Sequence, residues 1–158
     1  MTHEGTIRAL YGALGRRDGP AMGTLYAATA RFEDPVFTLS GWQVPAMWRM
    51  LCERAADLRI ELGTVRADAT TGAAHVEAWY TFSATGRAVH NVIDASFTFA
   101  DGRIATQRDR FDFHRWAGQA LGWKGRFLGW TPFLRSAVRR RSAAALAAYA
   151  RRHALDGG

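Results

Sequence analysis

Four runs in the second half of the chain alternate apolar and polar residues with a period of two, at 58–68, 74–83, 87–100 and 103–113. That period sends successive side chains to opposite faces of a pleated backbone, so each run predicts a β-strand. The links between them, "ATTG", "SATG" and "ADG", are short, contain Gly and suit antiparallel hairpins. The first half has a helical period instead. Ile7, Leu10, Tyr11 and Leu14 form one stripe of a helix over 2–17. Asp18 and Pro20 suit the cap and first turn of a second helix, whose Met22, Leu25 and Tyr26 share a face. "RFEDPVF" at 31–37 reads as a short extended piece in which Pro35 keeps Asp34 out of helical angles. Ser40 and Gln43 form a capping box for a third helix, Pro45 places its start near Val44, and Met47, Trp48, Leu51 and Cys52 give it an apolar face. Three helices followed by a four-stranded meander predict an α+β fold, with the helices on one face of a mostly antiparallel sheet.

The last two strands sort by face. Val89, Ile93, Ala95, Phe97 and Phe99 point one way, and His90, Val92, Asp94, Ser96 and Thr98 the other. In the next strand Ala105, Gln107, Asp109, Phe111 and Phe113 oppose Ile104, Thr106, Arg108, Arg110 and Asp112. Two readings follow. Either the polar sides face water, or the sheet is covered on both faces and a polar side lines a pocket.

Charge divides the chain further. Residues 1–112 hold 12 Lys/Arg against 13 Asp/Glu, whereas residues 113–158 hold 9 Lys/Arg against one acid, Asp156. The net charge of +7 therefore belongs to the C-terminal part. There, Trp116, Leu121, Trp123, Phe127, Leu128, Trp130, Phe133 and Leu134 are interleaved with Arg and Lys, and Thr131 with Pro132 opens a long Ala/Arg helix. Three uses fit this extension. Its aromatics pack on the body or across a dimer, or the segment 115–153 touches an anionic membrane surface. Nucleic-acid binding is the least favoured of the three. At 158 residues the chain suits a single domain, divided here into a body at 1–114 and a helical extension at 115–158 packed on it. The single cysteine, Cys52, precludes an intrachain disulfide. With no signal-like N-terminal pattern, it points to a cytoplasmic protein, with a membrane-peripheral placement as the variant.

The element order and three local motifs resemble the nuclear transport factor 2-like superfamily over about residues 5–114: "LYGALGRRDG", "LYAATARFEDPVF" and "VID". That group includes ketosteroid isomerases, SnoaL-like polyketide cyclases and limonene epoxide hydrolases. The resemblance implies a cone-like fold whose strongly bent sheet wraps the helices around a pocket, with Asp94 facing inward, Ile93 and Phe97 packed outside, and a homodimer. By similarity to ketosteroid isomerases, Asp34 is the expected catalytic base and Tyr11 and Asp94 the expected oxyanion donors, with Tyr26 supporting Tyr11. Trp48, Trp79, His90, Gln107, Asp109, Phe111 and Asp112 are the other expected binding residues. The polar Gln107 and Asp109 suit an oxygenated polyketide better than a steroid, and "RDRFDF" resembles the strand end where SnoaL-like cyclases place an acid, at Asp109 or Asp112. "RFD" at 110–112 matches the Asp-Arg-Asp set of the epoxide hydrolases only nominally.

Proton abstraction beside a carbonyl needs a carboxylate near the carbon and fixed donors on the oxygen where charge develops. Such chemistry implies a small hydrophobic carbonyl-containing molecule as partner and no cofactor. His3, His75, His90, His114 and His153 have no metal-ligand spacing, and no nucleophile elbow, phosphate-binding loop or dinucleotide fingerprint occurs. The expected activity is isomerisation or cyclisation by general acid/base catalysis. Its rival from another class is a module that only binds a small molecule or docks to a membrane or partner.

Overall fold

The structure, a computed structural model, describes residues 1–155. Helix α1 (His3–Gly15) is capped by Thr2, whose hydroxyl accepts from the Gly5 amide, and it buries the expected stripe of Ile7, Leu10, Tyr11 and Leu14. Helix α2 (Gly19–Gly23) has Asp18 as its cap and Pro20 in its first turn. Strands β1 (Tyr26–Glu33) and β2 (Thr38–Ser40) flank the Asp34–Phe37 turn, and α3 (Gln43–Arg54) follows. Only half of the capping box forms: Gln43 Oε1 accepts from the Ser40 amide at 3.0 Å, while the N-cap position, Trp42, makes no side-chain bond. Gly19 is required where α2 meets α3, because a Cβ there would lie 2.7 Å from Arg49 Cα.

Strands β3 (Arg59–Ala67), β4 (Thr71–Phe82), β5 (Arg87–Ala100) and β6 (Arg103–Arg110) form the expected meander. They belong to a six-stranded sheet in the order β2-β1-β6-β5-β4-β3, in which only the β1–β6 pair is parallel. β1 starts five residues before the extended piece read from the sequence. Its pairing with β6 is irregular between Tyr26 and Arg31, which spoils the alternation that would have marked it as a strand. At the other end β6 stops at Arg110, because Asp112 turns the chain into α4 (Phe113–Leu121) by accepting from the Arg115 amide.

The inner face of the sheet carries Phe32, Ala74, Val76, Ala95 and Phe97, all buried in one core with α1 and α3. The outer face carries Glu33, His75, Glu77, Trp79, His90, Asp94, Thr98, Thr106 and Arg108, paired across strands in register. Here the structure overturns the orientation implied by the resemblance. Phe97 and the partly buried Ile93 pack inward, and Asp94 faces out. The reason is elementary: one face must cover the helices, and the apolar set of β5 is the one that gains by it. A bulge between Thr98 and Phe99 shifts the β5–β6 register, so Ile104 is buried along with Gln107 and Asp109, contrary to strict alternation.

Beyond the sheet, α5 (Trp123–Leu128) doubles back on α4, and α6 (Pro132–Arg152) begins at the Thr131 cap and Pro132 as expected. α6 runs back to α3, burying Leu146, Tyr149 and Ala150, and Tyr149 Oη donates to Glu53 at 2.8 Å. Phe113, Trp116, Ala117 and Ala120 of α4 form a second cluster with Val89, against which Val36, Tyr80, Leu134 and Val138 pack.

Candidate functional site

Four polar side chains inside the core are linked end to end. Trp48 Nε1 donates to the Tyr26 hydroxyl at 2.9 Å, and that hydroxyl donates to Gln107 Oε1. Gln107 Nε2 then donates to Asp109 Oδ1 at 2.9 Å. α3, β1 and β6 supply the members, and every donor points toward the carboxyl. Asp109 is 7% exposed and makes no other hydrogen bond among the described residues. Burial pushes its pKa up to about 7, opposed by the Gln107 bond and assisted by the charge of Asp34. In the same core as Tyr26 and Trp48, the hydroxyl of Tyr11 is fully buried with no hydrogen-bond partner among the described residues. Burial first, and then the charge of Asp109, hold the Tyr11 phenol well above its ordinary pKa, so it stays a neutral donor.

Asp34 sits half-buried in the turn after β1. Its Oδ1 accepts from the amides of Val36 and Phe37 at 2.7 and 2.6 Å, an Asx-type turn that Pro35 favours. The other oxygen has no partner among the described residues. Burial pushes Asp34 up to about 6; the Phe37 and Val36 amides and Arg139 oppose this, and Glu33 adds to it. Tyr80 Oη accepts from Trp116 Nε1 at 2.9 Å and feels the charge of Asp34. The charge of Asp34 adds to the upward shifts of both Asp109 and Tyr80, in each of which burial is the larger cause. Two carboxyls with raised pKa values can exchange protons with a ligand near neutral pH.

Of the residues expected from sequence, Tyr26, Trp48, Gln107 and Asp109 are joined in the buried chain, Tyr11 is buried in the same core, and Asp34 lies in the turn after β1. Asp94 is in neither place. Its side chain is 76% exposed and pairs with His75 at 2.8 Å on the outer face. Trp79 and His90 are also on the outer face, their rings stacked 4.4 Å apart with the Arg59 guanidinium over Trp79, and His90 pairs with Glu77 at 2.8 Å. Phe111 is half-buried against the α4 cluster, and Asp112, exposed, is occupied as the cap of α4. Sequence reasoning passed over Tyr80 and the buried Asn91 on the inner face; the parity each shares with Val76 or Val89 along its strand was the available signal. Two clefts, of about 670 and 410 Å³, lie around α4, α5 and the start of α6, and neither is lined by Asp34, Tyr11 or Asp109.

The family model of the SnoaL-like domain matches residues 7–107, from α1 through Gln107. The chain belongs to the SnoaL-like family. Solved structures share the fold of this SnoaL-like protein. A protein from Catenulispora acidiphila with a ketosteroid isomerase-like fold, in complex with trimethylamine, has a TM-score of 0.67 at 15% identity, covering 80% of this chain and 97% of that one. An NTF2-like protein of unknown function from Burkholderia pseudomallei has a TM-score of 0.60 at 22% identity, over 71% and 92%. An LEH-like epoxide hydrolase of M. tuberculosis has a TM-score of 0.60 at 18% identity, over 82% and 92%. No curated protein matches the chain. The family match ends at Gln107, so Asp109 and α4–α6 fall outside it. Among the described residues, no helix is long and apolar enough to cross a membrane.

Proposed function

We propose that this SnoaL-like protein catalyses isomerisation or aldol-type cyclisation of a small carbonyl compound, with Asp109 as the proton carrier, Asp34 as the acid that tunes it and Tyr11 as the oxyanion donor. The observation that carries this reading is a buried Asp109 carboxyl in a core that also buries the Tyr11 hydroxyl, which has no partner among the described residues and feels the Asp109 charge. Leaving a buried hydroxyl unpaired costs about 1–3 kcal/mol, a sacrifice that a ligand oxygen would offset.

Gln107, held by Tyr26 and Trp48, fixes Asp109 Oδ1 and leaves the other oxygen free for chemistry. As carboxylate, Asp109 takes the proton on the carbon next to the ketone, and the C–H electron pair becomes the enolate. Tyr11 donates to the enolate oxygen without giving up its proton. In isomerisation the proton returns to a carbon further along the conjugated system. In cyclisation the enolate carbon bonds to a second carbonyl carbon, and the resulting alkoxide takes the proton from Asp109. Either way Asp109 ends as the carboxylate it began as, and Asp34, half-buried in the turn after β1, adjusts the proton affinity of Asp109 through its charge. Neither route consumes a redox equivalent.

The test is turnover of a β,γ-unsaturated ketone to its conjugated isomer and of a linear polyketone to its aldol product, read by absorbance. Asp109→Asn should abolish turnover, and Asp34→Asn should lower it, with circular dichroism unchanged. Equal rates for the parent protein and Asp109→Asn on both substrate types would refute the assignment.

A further inference from the structure

Helix α5 is packed the wrong way round for a water-soluble surface. Its small residues face the protein: Gly125 and Gly129 are buried, and a Cβ on Gly125 would lie 1.8 Å from the Ala117 carbonyl oxygen of α4. That contact is possible only for glycine, and it turns the large residues outward. Trp123, Phe127, Trp130 and Phe133 are 66–75% exposed, and Leu128 is 42% exposed. Exposed apolar residues are ordinary when scattered, but five of them within eleven consecutive positions form a patch.

The charge around the patch has one sign. From Phe113 to Leu155 there are nine Lys/Arg and no Asp or Glu. Lys124 and Arg126 are exposed between the aromatics. The 670 Å³ cleft between α4 and α5 is lined by Arg87, Arg115 and Arg126, with Trp123 and Phe127 beside them and Asp112 as its one acid. Tryptophan and phenylalanine set among cations suit the boundary between lipid headgroups and acyl chains. A nucleic-acid site would instead need a basic groove with stacked rings along it, and an interface with a second copy would oppose like charges.

We infer that the α5 surface, from Trp123 to Phe133, docks on an anionic phospholipid bilayer. Its aromatic side chains insert at headgroup depth, and Lys124, Arg126 and the arginines of the α4–α5 cleft meet the phosphates. The inference is independent of the acid/base reading, because no residue of the interior cluster takes part in it.

The test is sedimentation of the full chain with vesicles of phosphatidylcholine, with and without phosphatidylglycerol. Binding is expected only with the anionic lipid and should weaken as salt is raised. Brominated lipid tails should quench the fluorescence of the parent protein more than that of Trp123→Ser/Trp130→Ser. That double variant should lose at least about tenfold in partitioning, as expected from removing two large buried apolar surfaces. Lys124→Glu/Arg126→Glu should lose binding while keeping its melting curve. All four positions are exposed, so folding is not at stake. No sedimentation with anionic vesicles, or binding unchanged in the tryptophan variant, overturns the proposal. So does a parent dimer that the tryptophan variant converts to monomer without vesicle binding, or preferential binding of single-stranded RNA.

Discussion

The guanidinium of Arg139 is bonded to the turn that holds Asp34, more than a hundred residues earlier in the chain. Nη1 donates to the carbonyl oxygens of Asp34 and Pro35 at 3.4 and 3.2 Å, and Nη2 donates to Thr38 Oγ1 at 2.6 Å. The same group attracts the Asp34 carboxylate and partly offsets the effect of its burial. α6 therefore braces the backbone of a candidate catalytic turn and tunes its acid at once.

Arg139→Ala should raise the Asp34 pKa further above about 6, since it removes an attraction that favours the charged form. Carboxyl carbon NMR titration of the parent and variant measures this directly. The lost bonds should also cost about 1–2 kcal/mol in urea unfolding. An unchanged Asp34 titration would mean that the guanidinium is only a structural brace.

The buried Asp109 links stability to pH with a definite sign. Its folded pKa, about 7, exceeds the ordinary value of 3.8, so between those limits the folded state keeps a proton that the unfolded chain has released. Its contribution is thus most favourable below about pH 4 and is lost as pH rises toward about 7. Asn cannot ionise and can still accept from Gln107. Asp109→Asn should therefore be nearly as stable as the parent in acid and more stable at pH 8, by up to about 4 kcal/mol. Parallel melting curves at the two pH values check this; an identical difference at both would show that Asp109 is not titrating in that window. A site acid that lowers stability at working pH is the usual trade between function and folding.

Tyr11→Phe separates packing from function. The ring sits edge-on to Phe97 with centroids 6.5 Å apart, a contact that Phe preserves. Deleting a buried, partnerless hydroxyl should stabilise the protein by about 1 kcal/mol, read as a higher melting temperature. If Tyr11 donates to a developing oxyanion, turnover should fall about 100-fold or more at the same time. Stabilisation with full turnover would leave Tyr11 as a core residue only.

Most of the architecture was legible because burial writes a period into the chain. The stripe of α1, the four strands of the meander and the Thr131–Pro132 start of α6 all follow from it. β1 escaped notice because its irregular pairing leaves Tyr26, Ala30 and Phe32 at no single spacing. The cluster around Asp109 was half legible. Its polar residues could be placed on one side of β6, but whether that side is inside depends on which face meets the helices. For β5, plain alternation favoured the apolar face inward, and the family resemblance argued the reverse. Alternation was right, since a run containing Val89, Ala95 and Phe97 has far more to gain from the core than one carrying Asp94.

Asp94 supplies the sharpest contrast between motif and placement. Its "VID" segment matches a family position for an oxyanion donor, yet its carboxyl is three-quarters exposed and paired with His75. On the outer face of β5 that carboxyl is turned away from the core that holds Tyr11 and the Gln107–Asp109 pair. Exposed ion pairs contribute about 0–1 kcal/mol, because water and salt screen them and two side chains lose freedom. Asp94→Asn should accordingly leave turnover within about twofold of the parent and shift stability by no more than that range. Asp109→Asn, measured beside it, should remove turnover. A loss of activity in Asp94→Asn comparable to that in Asp109→Asn would mean that the outer face of β5 takes part in the reaction, which requires a second copy of the chain to close over it.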